Sequence, residues 1–218
     1  MNINIYVQEK NLIPEIKKIF DGNSNYKFYD ELNIFVAKDF SKILDASTER
    51  EYQKRLVEMA HQDYLTGLAT RWYLQEYVQN IQHEENLTCI YFDLDNFKNV
   101  NDTYGHQAGD RALAATAEMM QREFSDGLVA RMGGDEFMVV LPGLRTIEQV
   151  EAKVNTFIKN LSDYYKTMNT MKNLSISAGI SQKLKGSEKS IDTLIHESDT
   201  ALYEAKKSGK NCCKAYKN

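Results

Sequence analysis

The sequence predicts an α/β (α+β) protein, a mixed central sheet flanked by helices, preceded by a small β-α-β-β unit and a connecting helix. Three observations carry this. From residue 63 onward, strand-like apolar runs alternate with segments of helical period, the pattern of one sheet layered with helices. One of these segments, 128 to 141, reads as a tight hairpin, so the sheet contains antiparallel strands. The first 45 residues have a pattern of their own but are too few to bury much core.

In chain order, Ile3, Ile5 and Val7 alternate with polar residues as in a half-buried strand. Leu12, Ile13, Ile16, Ile19 and Phe20 recur at helical spacing, and 26 to 29 and 32 to 36 read as two further strands. From 41 to 62 the pattern is helical and highly charged, with a narrow apolar stripe at Leu44, Tyr52, Leu56 and Met59. A stripe of about two heptads fits a helix packed on its own domain and a stalk pairing with a second chain equally well. A helix is expected from 71 to about 83 and a strand from 87 to 93. Then come a helix from about 108 to 124, the hairpin, a helix from about 147 to 165 and a strand from 174 to 180. A last helix over 191 to 207 and a short strand near 213 to 216 close the chain. Three regions follow: 1–45, a small regulatory or dimerisation unit; 46–62, a connecting helix; 63–218, the main domain.

Composition narrows the function. The net charge is −4, from 27 basic and 31 acidic side chains, which gives no general attraction to nucleic acid or to an anionic membrane. No uninterrupted apolar run approaches the roughly 20 residues of a membrane span. The opening MNINIYVQEK lacks a basic stretch followed by an apolar one, so no signal peptide is expected. Cys89, Cys212 and Cys213 are odd in number, with two adjacent, and predict neither a disulfide framework nor a zinc site. A reduced, cytoplasmic protein is the simplest reading.

The chemistry gathers at two strand ends. The strand at 87 to 93 runs out in Phe92-Asp93-Leu94-Asp95, and the hairpin carries Gly133-Gly134-Asp135-Glu136 at its tip. If the strands are neighbours, Asp93 and Asp135 converge, and clustered carboxylates repel unless a cation neutralises them. Hard oxygen ligands suit magnesium, which completes its shell with water and phosphate oxygens. Two such ions can stabilise the attacking and leaving oxygens of a phosphoryl transfer. Alone, the hairpin tip is equally ordinary turn chemistry with solvated acids. Asp95 reads either as a further ligand or as a structural acid capping the next loop.

The context settles the hairpin tip. FDLDNFKNVNDTYGHQAGD at 92 to 110, DYLTGLATR at 63 to 71, RMGGDEFMVV at 131 to 140 and ALYEAKKSGKN at 201 to 211 closely resemble the motifs of the GGDEF family of diguanylate cyclases, in the family's order and spacing. The resemblance covers about 61 to 216. It implies a palm-like, nucleotidyl-cyclase-like domain that condenses two GTP molecules into cyclic di-GMP with release of pyrophosphate. By resemblance, magnesium (with manganese as the alternative) is held by Asp93, by the Leu94 carbonyl and by Asp135, while Glu136 assists the metal site or the deprotonation of the 3′-hydroxyl. The backbone at Phe97 and Lys98 touches the phosphates, and the Lys98 side chain stabilises transferring phosphate charge. Asn101 and Asp110 match residues that read guanine, and His106 lines the nucleotide site. A carboxylate can accept from both N1–H and N2–H₂ of guanine, and adenine has neither donor there, so Asp110 favours GTP over ATP; its bland alternative is a helix N-cap. Lys206 matches a phosphate-binding lysine, and Lys210 stands where many members have arginine, with the charge kept and the bidentate fork lost. Both lysines also suit the end of a helix dipole. Asp63, Gly67 and Arg71 read as structural.

The chain departs from the family at its inhibitory product site. An RxxD motif would place its arginine at Phe124 and its aspartate at Gly127; Arg122 and Asp126 lie nearby at the wrong spacing. No product inhibition of the usual kind is expected. The N-terminal unit resembles a receiver only in outline, lacking the acidic cluster after its first strand, so a dimerisation or partner-binding role through residues 1–60 is expected. The leading function is an active cyclase working as a homodimer, since one domain holds one GTP. The alternatives are an inactive module that binds GTP or cyclic di-GMP, and a cyclase making another cyclic dinucleotide.

Overall fold

The computed structural model describes residues 3–6, 26–29, 34–37, 61–81 and 86–217. The chain divides into two compact units, Met1–Val57 and Glu58–Asn218. In the first, β1 (Ile3–Tyr6), β2 (Tyr26–Tyr29) and β3 (Ile34–Ala37) form an antiparallel sheet in the order β1-β3-β2. Ile3 and Tyr26 both pair with Ala37, from opposite sides of β3. The helix expected around 12 to 20, and all but the last two residues of the charged segment expected over 41 to 62, lie outside the described residues.

The second unit is built on a six-stranded sheet in the order β4-β6-β7-β5-β8-β9. Its strands are β4 (Ala69–Thr70), β5 (Leu87–Asp95), β6 (Leu128–Gly133), β7 (Glu136–Pro142), β8 (Ser175–Lys183) and β9 (Cys213–Ala215). The pairs β4–β6 and β8–β9 are parallel and the inner pairs antiparallel, so the sheet is mixed as the sequence predicts. Among the described residues five helices flank it: α1 (Arg71–Ile81), α2 (Phe97–Tyr104), α3 (His106–Glu123), α4 (Ile147–Thr167) and α5 (Ile191–Lys207). Among the described residues no helix is long and apolar enough to cross a membrane.

Strand alternation sorts the core into two layers. Ile90, Phe92 and Leu94 of β5 face α3 and α4, with Phe137 and Val139 of β7 and Ile176 and Ala178 of β8. Phe92, Phe124 and Phe157 meet there with ring centroids 5.4 to 5.7 Å apart. Cys89 and Tyr91, with Met138 and Val140, face Leu74 and Val78 of α1 and Leu194 and Leu202 of α5. Asp93 continues this second face to the end of the strand, so α5 is the helix able to reach it. Gly179, paired with Tyr91, makes the approach possible. A Cβ at Gly179 would stand 2.0 Å from the Ser198 carbonyl oxygen and 2.2 Å from the Leu202 nitrogen, so α5 lies directly on the strand. Lys206, one turn beyond Leu202, is thereby carried to the tip of β5.

Two boundaries differ from those expected. The segment 97 to 104, to which the sequence reading assigns no element, is the helix α2. Its asparagines, aspartate and threonine are weak helix formers, and it is held instead by Val100, which is buried, and by Phe97 packed against the core. The next helix begins at His106, not near residue 108, with Gly105 as its N-cap. Asp110 is therefore inside α3, and the N-cap reading of that residue is wrong.

Candidate active site

The acids are brought together by strand register. Asp93 on β5 pairs directly with Glu136, the first residue of β7. The turn before it carries Asp135, whose carbonyl accepts from the Leu94 N–H at 3.2 Å. Gly134 turns the chain with φ of 52°, a conformation glycine adopts without steric cost. Asp93 is half-buried and its Oδ1 lies 2.7 Å from Lys206 Nζ. Burial pushes the Asp93 carboxyl up, and the carboxylates of Asp135 and Glu136 add to that, against the Lys206 ammonium pulling down; the balance is a raised pKa. One cation thus offsets a cluster of three acids only in part.

Tyr91 and Arg131, which the sequence reading passed over, hold this cluster. The Tyr91 hydroxyl donates to Glu136 Oε2 at 3.2 Å. Burial, then the charge of Glu136 and its hydrogen bond, push the phenol pKa up, so it remains a donor. Arg131 Nε and Nη2 donate to the Gly134 carbonyl at 3.0 and 2.7 Å, and Nη1 donates to both carboxylate oxygens of Asp63 at 3.1 and 3.2 Å. Asp63 also accepts from the Thr66 N–H and hydroxyl. Burial works to raise the Asp63 carboxyl, but the Thr66 and Arg131 hydrogen bonds and the guanidinium charge outweigh it and hold it below the usual range. The turn at 63 to 67 is in this way tied to the hairpin tip. The sequence reading has Asp63 as structural but does not find its partner, an arginine two residues before the first glycine.

Asp95 turns out to be the structural acid. It is 2% exposed and accepts from the hydroxyls of Ser175 and Ser177 and from the Asn211 N–H, at 2.8 to 3.1 Å. This fixes the chain after α5, where Lys210 and Asn211 adopt φ of 65° and 51°. Lys210 Nζ donates to Asn96 Oδ1 at 3.0 Å, and so lies over the start of α2.

The other predicted residues fall on the α2–α3 hairpin. Phe97 and Lys98 open α2, whose N-cap Asn96 makes no side-chain capping bond. Among the described residues the amides of Phe97 and Lys98 have no partner, and exposed amides of this kind at a helix start favour an anion. The Asn101 Oδ1 lies against Gly109 of α3, 2.0 Å from where a Cβ there would stand. Lys98, His106 and Asp110 are exposed, and among the described residues their side chains make no hydrogen bond or ion pair.

The positions of an RxxD motif are structurally closed. Phe124 is wholly buried among Phe92 and Phe157. A Cβ on Gly127 would stand 2.4 Å from the Val140 carbonyl oxygen. Asp126 is engaged by Arg145 and Lys153, each at 2.8 Å, and Arg122 by Glu118.

Among the described residues no three His, Cys, Asp or Glu side chains gather as a ready metal cluster. The donor set is instead the carboxylates carried by two paired strand ends, Asp93 on one and Asp135 and Glu136 on the other. Its hard oxygens and its under-neutralised charge fit a small divalent cation of the magnesium type.

A sheet with paired acids at its centre, a glycine turn beside them and basic groups closing over them defines a GGDEF domain, and the family model described as "Diguanylate cyclase, GGDEF domain" matches residues 60–212. The chain belongs to the GGDEF diguanylate cyclase family. It is 39% identical over 168 residues to the uncharacterized protein YtrP of Bacillus subtilis, covering 76% of this chain and 28% of that one. It is 33% identical over 167 residues to the probable diguanylate cyclase DgcF of Escherichia coli K12, covering 72% of this chain and 52% of the relative. The matched part thus spans between about a quarter and a half of these relatives. Among solved structures, the coiled coil and GGDEF domain of DgcB from Caulobacter crescentus, in complex with c-di-GMP, superposes with a TM-score of 0.69 at 25% identity, covering 78% of this chain and 92% of that one.

Proposed function

We propose that the protein is a diguanylate cyclase that condenses two GTP into cyclic di-GMP with release of pyrophosphate, working in the cytoplasm as a homodimer. The observation that carries this is the intact acid group, Asp93 paired with Glu136 across the ladder and Asp135 bonded to the Leu94 backbone. A binding-only domain has no need of three acids whose mutual repulsion is costly.

Asp93, Asp135 and the Leu94 carbonyl would hold Mg²⁺ or Mn²⁺. When bound, the ion lowers the pKa of the 3′-hydroxyl and neutralises charge on the phosphates. Glu136, paired with Asp93 across the ladder, would receive the hydroxyl proton. The amides of Phe97 and Lys98 receive phosphate oxygens at the start of α2, and Lys98, Lys206 and Lys210 supply positive charge around them. Lys206 exchanges its bond with Asp93 for phosphate when GTP arrives. Asn101 and Asp110 read the guanine edge, and Asp110 accepts from N1–H and N2–H₂, which adenine cannot offer; His106 lines the same site. Residues 1–60 bring a partner or a second copy to the catalytic unit.

The test is incubation with GTP and magnesium, alone and with ATP added, with products identified by mass spectrometry. Cyclic di-GMP from the wild type, absent from Asp135→Ala, is expected. A mixed or adenine product overturns the role given to Asp110. GTP binding without any product, at concentrations where the protein is dimeric, moves the reading to an inactive binding module.

A further inference from the structure

We propose that Tyr91 is a positioning residue: its hydroxyl fixes the Glu136 carboxylate beside Asp93. This rests on the cyclase reading of the site for its catalytic consequence, though not for the contact itself. Tyr91 lies two residues before Asp93 on β5, on the same face of the sheet. Since Asp93 pairs with Glu136 and Tyr91 with Met138, Tyr91 and Glu136 are diagonal neighbours, within reach of an aromatic side chain.

The two partners differ in freedom. Tyr91 is 8% exposed and belongs to the buried cluster that also holds Ala69, Leu74, Met138 and Leu202. Glu136 is a long, partly exposed side chain placed immediately after the glycine turn. Among the described residues the Tyr91 hydroxyl is the sole hydrogen-bond partner of its carboxylate. Asp93 has Lys206 to hold it, and Tyr91 does the same for Glu136. An anchored donor matters because a reacting group misplaced by a fraction of its bond length loses much of its effect.

Tyr91→Phe removes only the hydroxyl and leaves the ring in the core. The expected result is a fall of about tenfold to a hundredfold in kcat, the size of one lost hydrogen bond to a charged group, with KM for GTP within about twofold, as befits a group acting on a catalytic carboxylate and not on substrate. A second readout needs no turnover. Tyr91→Phe should lower Tm in the wild-type background and leave it unchanged in a Glu136→Ala background, the mark of a direct pair. A wild-type kcat, a rise in KM alone, or the same Tm shift with and without Glu136 overturns the proposal. A wild type that makes no product, with the Tm coupling present, sinks the cyclase reading and the catalytic consequence together, while leaving Tyr91 as the group that fixes Glu136.

Discussion

Asp93 and Asp95 are two residues apart on one face of β5, yet their surroundings give opposite consequences for stability. Asp95 is buried and satisfied by two serine hydroxyls and the Asn211 amide. Asp95→Asn places an amide donor against donors and should cost about 1–3 kcal/mol in denaturant unfolding. Asp93 has a raised carboxyl pKa. A raised folded-state pKa means the protonated form is favoured by the fold, so the stability it confers is lost as pH rises through that value and the anion is a burden at neutral pH. Asp93→Asn should therefore keep a Tm at or above the wild type while abolishing product, as expected of a group retained for chemistry at the expense of stability. A large drop in Tm for Asp93→Asn would make it a structural acid like its neighbour. The sequence made the convergence of Asp93, Asp135 and Glu136 legible, because each stands at the end of a recognisable apolar run. It could not separate Asp95 from Asp93, because the partners of Asp95 lie 80 to 116 residues away. Tyr91 and Arg131 were hidden for the reverse reason: an aromatic inside an apolar run reads as core, and an arginine in a hairpin strand reads as surface.

The long elements were legible for the same reason as the acids. The helices over 147 to 167 and 191 to 207 have apolar residues at helical spacing and true caps, Thr146 with Gln149 for the first and Ser190 for the second. The helix α2 was not, since its sequence has weak propensity and only its packing makes it helical. The same dependence on packing explains the missing inhibitory motif. At the junction of α3 and β6, Phe124 completes a three-ring cluster and Gly127 runs against the Val140 carbonyl. An aspartate at 127 has no room, and an arginine at 124 would be a buried charge without a partner. Added cyclic di-GMP in the micromolar range should accordingly leave the initial rate of GTP turnover unchanged. Inhibition that responds to Asp126→Ala would show that the displaced acid can leave Arg145 and Lys153 to bind product.

At the scale of the whole molecule, the proposed function gives the second unit one guanine-reading pair, Asn101 and Asp110, and one acid group. Cyclic di-GMP contains two phosphodiester bonds, each made when the 3′-hydroxyl of one GTP displaces pyrophosphate from the other. On the proposed reading two facing domains are needed, each activating the hydroxyl of its own nucleotide. This makes the composition of a mixed dimer measurable. Wild type and Asp135→Ala, allowed to exchange subunits at fixed total concentration, form dimers in which one domain, both or neither is competent. A dimer with one competent domain closes one bond and releases one pyrophosphate, leaving a linear dinucleotide. Cyclic product should therefore fall with the square of the wild-type fraction, and the linear species should be greatest near equal mixing. A fall in direct proportion to the wild-type fraction would mean that one competent domain closes both bonds, and that the acids at the end of β5 and β7 are not needed in both copies.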